Sequence, residues 1–280
     1  MINHADELFK QNCKDILENG VFSGFDVRTV WEDSTPATYY SKFAVMNRYD
    51  LSKEFPISTL RYTNWKNAID EILWIFVKQS NNVEDLNSKI WDQWADEAGT
   101  IGKAYGYQIG KKNRYIIDGK EVWMNQIDKV IYDIKNNPSS RRIMTNIYNF
   151  EDLSEMNLYP CAYGLTFSVK DGKLNAMLNQ RSQDTLVANN WNVVQYAALT
   201  HMIAQVCDLE VGEFVHVIAD MHIYDRHIDM VKEMMDNPSY PAPKFTINKD
   251  IKNFYDFTID DFNIENYQYT KMPGKIPVAI

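Results

Sequence analysis

Apolar and polar residues alternate from Tyr159 to Ser182, in YPCAYGLTFSVKDGKLNAMLNQRS. The alternation breaks once, at Asp171-Gly172, which is a tight-turn dipeptide, so the stretch reads as a β-hairpin. Other stretches carry the period of a helix. In 5–18, Leu8, Phe9, Ile16 and Leu17 share a face and Gly20 supplies the stop. In 64–80, apolar residues from Trp65 to Phe76 cover most of the surface, which predicts a deeply buried helix with Asp70 and Glu71 inside it. One of these two carboxylates is expected to face solvent and the other a pocket. Residues 83–98, with Trp91 and Trp94 one helical turn apart, predict a second helix, and 122–136 an amphipathic one ending at Asn137-Pro138. Asn192 to Asp208 is apolar nearly all round and predicts a central helix with Asn192 as its opening cap. Residues 37–50 and the segment FVHVIAD read as strands, and MHIYDRHIDMVKEM as a helix. Residues 22–36, and 99–118 with their Gly, Tyr and Lys, read as loops.

At 280 residues, this set of elements fits one domain, 1–280, with a full core. The net charge of −9 argues against a sequence-independent grip on nucleic acid or an anionic membrane, so any anionic ligand must meet locally concentrated cations. No apolar run reaches membrane-spanning length, and the polar N-terminus does not resemble a signal peptide. Three widely spaced cysteines, Cys13, Cys161 and Cys207, suit a reducing cytoplasm and form no CxxC pair; no metal is expected. There is also no P-loop and no GxGxxG.

The hairpin adds chemistry. Its two ends meet in space, which gathers Cys161 with Arg181 and Ser182. A thiol near a fixed cation ionises more easily, the thiolate is the nucleophile, and Arg beside Ser suits a phosphate. Arg28 reads either as a solvated loop charge or as a phosphate clamp, and Arg141-Arg142 either as a phosphate grip or as surface ion pairs. His222 and Tyr224 fall at a strand-to-helix junction, where side chains often line a site.

Together, DEILW, IWDQWADE, SSRRI, YPCAY, QRSQD followed by WNVVQYAAL, DMHIY and the final PVAI resemble the thymidylate synthase family, from about Arg28 to Ile280. The resemblance implies an α/β (α+β) three-layer fold, with a large mixed sheet packed with helices and a homodimer formed through sheet faces. It implies reductive methylation of dUMP to dTMP, with methylenetetrahydrofolate as carbon and hydride donor, begun by attack of Cys161 on pyrimidine carbon 6. By the same resemblance Arg28, Arg181 and Ser182 match phosphate ligands of one subunit, and Arg141 and Arg142 match ligands given by the other. Asn192 matches the reader of the pyrimidine edge, His222 and Tyr224 the sugar contacts, and Glu71 the buried proton-managing carboxylate. Trp91, Tyr105, Asp184 and Ala188 match positions around the folate, and Ala279 with Ile280 the closing tail. Departures are Ala162 where many relatives have His, and Ala188 and Ala219 where glycine is usual. On the same fold, a nucleotide hydroxymethylase is the alternative; for cytidylate it is expected to carry Asp at position 192. A catalytically idle nucleotide- or RNA-binding relative is a second alternative, disfavoured by the complete residue set and the acidic charge.

Overall fold

The hairpin forms as its pattern predicts, in a computed structural model describing residues 3–272 and 274–280. Strands β6 (Ala162–Lys170) and β7 (Lys173–Gln180) pair antiparallel, and Asp171 and Gly172 both take left-handed φ values, 49° and 72°. A two-residue turn with two positive φ values matches the twist of the flanking strands. Around the hairpin a mixed sheet of seven strands assembles. Its order is β1 (Val21–Phe22), β2 (Tyr39–Asp50), β9 (Glu210–Tyr224), β7, β6 and β5 (Met144–Asn146), and β8 (Gln183–Asp184) also pairs with β9. Strands β7 and β8 both run parallel to β9, so Arg181 and Ser182 interrupt one line of pairing.

Helix α5 (Asn189–Val206) packs against β7 and β9, and α2 (Trp65–Phe76) packs against α5. Sheet, α5 and α2 thus form successive layers, which explains why both helices are apolar nearly all round. Helix α1 (His4–Asn19) packs on β2, β9 and α6 (Ile228–Asp236) over a smaller core that includes Phe9, Cys13, Ile16 and Ile218. The sheet also leaves apolar side chains uncovered: Phe43 is 82% exposed and Met46 55%. Ala44 between them has φ 62°, which disturbs the strand's alternation.

Several expectations are corrected. Residues 83–98 are not a helix: they hold two short 3-10 turns, Val83–Asp85 and Asp92–Trp94, because the tryptophans pack on other rings rather than on a helical face. The expected loop 99–118 contains α3 (Gly106–Gly110) and β3 (Asn113–Ile117), and β3 pairs with β4 (Lys120–Met124), so α4 starts only at Gln126 and runs to Asn136. Residues 221–224 extend β9 instead of opening a helix. Asn192 lies inside α5, whose N-cap is Ala188. Asp70 is buried like Glu71, because Asn87 donates both its backbone and side-chain N–H to the Asp70 carboxylate at 3.0 Å.

Candidate active site

At the open end of the hairpin, the Arg181 backbone N–H donates to the Cys161 carbonyl at 2.9 Å. The Arg181 guanidinium then folds back: Nε donates to Pro160 O at 3.0 Å and Nη2 to Tyr159 O at 2.8 Å. Two of its five donors therefore hold the segment before the cysteine, and among the described residues the remainder have no partner and can meet an anion. Tyr105 adds a third restraint, with its hydroxyl 3.3 Å from the Cys161 N–H. Tyr105 itself has φ 43°, a strained value for a side-chain-bearing residue. Next to it, a Cβ on Gly106 would sit 2.0 Å from Ser80 O, so only glycine allows this approach.

The expected easy ionisation of Cys161 needs correction for the chain by itself. Burial pushes the thiol up, and Arg181 and then Arg28 pull against it without winning. Among the described residues, the cations that act on this thiol are Arg181 and Arg28, with no part for Arg141 or Arg142 of the same chain. Both are exposed, and among the described residues neither forms an ion pair.

Glu71 projects from α2 into the layer beneath α5. Burial raises its pKa to about 7, against the opposing pull of Trp191, Gln195 and Trp91. Trp191 Nε1 donates to Oε2 at 2.8 Å. The Gln195 Nε2 and Trp91 Nε1 groups face the same carboxylate, but they make no hydrogen bond of ordinary geometry among the described residues. A carboxyl balanced near neutrality can both give and take a proton. One helical turn along α5 from Ala188, Asn192 is held at both ends of its amide. Gln180 Nε2 donates to its Oδ1 at 3.1 Å, and its Nδ2 donates to Gln195 Oε1 at 3.1 Å.

Trp91 forms an aromatic wall with Trp94 and Tyr105, at ring-centre distances of 5.4 and 5.0 Å. On β9, Asp220 Oδ1 lies 2.8 Å from His222 Nδ1, and a proton shared there leaves His222 Nε2 for a ligand. Tyr224 packs edge-on to Trp31, Tyr39 and His222. Burial opposes the ionisation of Asp184, yet His227 and His222 outweigh it and hold the carboxyl below its usual range. The Leu186 and Val187 N–H groups donate to Asp184 Oδ1 at 2.9 and 3.0 Å. Ala188 stands at φ −98°, which any residue adopts, so alanine at this position costs no backbone strain.

The tail docks beside this site. Val30 and Ile280 exchange two backbone hydrogen bonds of 2.9 Å, and His227 Nε2 meets Pro277 O at 2.8 Å. Ala279 packs on the small core of Trp31, Ala37 and Tyr224. The exposed Arg28 is two residues from Val30, so tail and arginine loop are joined. The structure therefore brings Cys161, Arg28 and Arg181 into one field, and Trp191, Gln195 and Trp91 around the Glu71 carboxylate, with Asn192 joined to that group through Gln195. Arg141 and Arg142 stay outside it. Sequence reasoning missed Trp191, Gln180, Gln195, His216 and Asp220. No local signal marks the first four, because each acts through a partner distant in sequence, and Asp220 acts through His222 on the same strand.

Comparison with known proteins decides the family. The family model described as thymidylate synthase matches residues 7–280. The chain belongs to the thymidylate synthase family. It is 46% identical to a thymidylate synthase of Bacillus subtilis subsp. natto over 269 residues, 94% of this chain and 95% of that one. It is equally similar, at the same coverage, to the thymidylate synthase of Bacillus phage phi3T. Among solved structures, thermostable thymidylate synthase A from Bacillus subtilis superposes with a TM-score of 0.92 at 44% identity, covering 99% of both chains. Family membership carries with it the enzyme class, a methyltransferase of thymidylate synthesis, whose members use methylenetetrahydrofolate as co-substrate. Among the described residues no helix is long and apolar enough to cross a membrane.

Proposed function

We propose that this chain methylates dUMP to dTMP with Cys161 as the nucleophile. The observation that carries the reading is the Cys161 backbone held between the Arg181 fold-back and the Tyr105 hydroxyl, with the thiol in the field of Arg181 and Arg28. In this reading the phosphate of dUMP binds Arg28, Arg181 and Ser182, and His222 and Tyr224 bind the sugar. Asn192 pairs with the uracil edge through one N–H and one lone pair. The thiol then adds to pyrimidine carbon 6, which makes carbon 5 nucleophilic.

Methylenetetrahydrofolate, when bound, supplies the one-carbon unit and the hydride. The residues present fit it. Trp91, Trp94 and Tyr105 offer flat rings on which a pterin can pack. Asp184 is held ionised to accept N–H groups, with Ala188 beside it. The docked Ala279 and Ile280 exclude water. Glu71, poised near neutrality, moves protons at the pyrimidine.

The working form is a homodimer. Exposed Phe43 and Met46 on the sheet suit a second copy, and Arg141 and Arg142 reach the partner's phosphate site across that contact. Two further cations there would lower the Cys161 pKa that burial raises. A free nucleophilic thiol suits the reducing cytoplasm.

The test is one incubation with dUMP, dCMP and methylenetetrahydrofolate, read by mass spectrometry of the nucleotides and by dihydrofolate absorbance. Methylated dUMP with stoichiometric dihydrofolate is expected, and none with Cys161→Ser. Hydroxymethylated product, or unchanged nucleotide with the wild-type enzyme, refutes the reading.

A further inference from the structure

The Asn192 amide sits in a chain of side chains whose polarity can be read from one point. That point is the Ser182 backbone carbonyl, which can only accept. It lies 3.0 Å from one terminal atom of Gln180, so that atom is the nitrogen, Nε2. The same nitrogen is 3.1 Å from Asn192, so the Asn192 atom facing it is the oxygen. Gln180 Oε1 is left to meet His216 Nε2 at 2.8 Å, so the His216 proton resides on Nε2. His216 is fully buried on β9 and stacks with Phe214, with ring centres 6.0 Å apart. At the other end, Asn192 Nδ2 donates to Gln195 Oε1 at 3.1 Å, which turns the Gln195 nitrogen toward Glu71. Gln180 and Gln195 are each 2% exposed.

After these bonds Asn192 keeps one lone pair on Oδ1 and one proton on Nδ2. Uracil offers a ring N–H and a neighbouring carbonyl, which pair with that set. Cytosine offers an acceptor nitrogen and an amino group, which require the amide turned over. Turning it over would set the Asn192 nitrogen against the Gln180 nitrogen and the Asn192 oxygen against the Gln195 oxygen. Two like contacts in a buried network are costly.

We infer that Gln180, Gln195 and His216 are positioning residues that fix the polarity of the Asn192 amide and thereby select uracil over cytosine nucleotides. The inference rests on the reading of Asn192 as the base reader. His216 acts through Gln180, and Gln195 ties base reading to the proton-managing carboxylate.

The experiment measures dissociation constants for dUMP and for dCMP by calorimetry on the wild-type enzyme, Gln195→Met and His216→Phe. Gln195→Met removes the acceptor while keeping side-chain length, and His216→Phe removes the donor while keeping a ring that can stack. The preference for dUMP over dCMP is expected to fall roughly tenfold in each, the scale of one lost buried hydrogen bond. A merely structural role weakens both nucleotides together, so an unchanged ratio in either folded variant, judged by its thermal transition, overturns the inference. A wild-type enzyme that binds dCMP as well as dUMP overturns the base-reading assignment first, and this inference with it.

Discussion

Trp191 and Glu71 lie 120 positions apart in sequence and meet through one hydrogen bond, in which the indole Nε1 donates to Glu71 Oε2 at 2.8 Å. The bond joins the two buried helices at the point where the proposed proton chemistry occurs. Burial raises the Glu71 pKa to about 7, well above an unfolded glutamate near 4.5. The sign follows from the protons bound. Between those two values the folded state keeps a proton that the unfolded state has lost, so this group's contribution to stability falls as pH rises from 4.5 to 7 and is constant above. Glu71→Gln keeps an oxygen for Trp191 and cannot ionise. The variant should therefore melt higher than wild type at pH 8, by at most about 3 kcal/mol in stability, and equally at pH 4 to 5. Its turnover should fall by on the order of 10² or more, because Gln cannot carry a proton. Thermal melts across pH, paired with initial rates, check both. A variant less stable than wild type at pH 8 contradicts the burial argument.

The thiol of Cys161 gives a second pH test. Burial raises its pKa and the nearby positive charges of Arg181 and Arg28 oppose the rise. Arg28→Met removes one cation from an exposed loop without touching the hairpin. Less thiolate then exists at any given pH, so the midpoint of iodoacetamide alkylation should move upward and the rate near neutrality should drop. The other cysteines interfere little: Cys13 is fully buried with its thiol pushed far up, and burial raises Cys207 to about 11. A midpoint that stays put, measured by mass spectrometry of the Cys161 peptide, removes Arg28 from the field of the nucleophile.

Removal of the last two residues probes the tail. Deleting Ala279 and Ile280 breaks two backbone hydrogen bonds to Val30 and uncovers Trp31. Tail docking is proposed to exclude water from the folate and not to hold dUMP. The KM for methylenetetrahydrofolate should rise by roughly tenfold or more and kcat should fall, while dUMP binding without folate changes by less than about threefold. Equal losses for both ligands would place the tail on the nucleotide instead.

Local signals account for what the sequence made legible. Asp171-Gly172 specifies its own turn, and the alternation on both sides specifies the strands, so the hairpin and the meeting of Cys161 with Arg181 needed no distant information. The helix around Leu199 was equally clear, because buried apolar residues surround it. Trp91 and Trp94 misled because a spacing of three also serves a 3-10 turn, and only the rings of Trp74 and Tyr105 decide where they pack. The supports of the site were hidden for a related reason. Gln180 and His216 occupy strand positions and Gln195 and Trp191 helix positions, and nothing local distinguishes a polar side chain bound to a distant partner from a solvated one. The field at Cys161 also depends on burial, which no residue count supplies.

The proposed dimer yields the sharpest test, because it divides each active site between two chains. Phe43 is 82% exposed on the sheet, and Phe43→Asp should leave a folded monomer, seen by light scattering. That monomer should be nearly inactive, since Arg141 and Arg142 no longer reach a partner. The same division predicts rescue by mixing. Cys161→Ser is inactive for lack of a nucleophile, and the double variant Arg141→Ala/Arg142→Ala is expected to be severely impaired for lack of phosphate ligands. In a mixed dimer, one site receives both defects. The other combines an intact Cys161 from one chain with intact arginines from its partner. Equal amounts, unfolded together and refolded, should recover about a quarter of wild-type activity, because about half the dimers are mixed and each has one working site. Activity no higher than that of the unmixed variants would place Arg141 and Arg142 in their own chain's site and remove the exchange across the sheet.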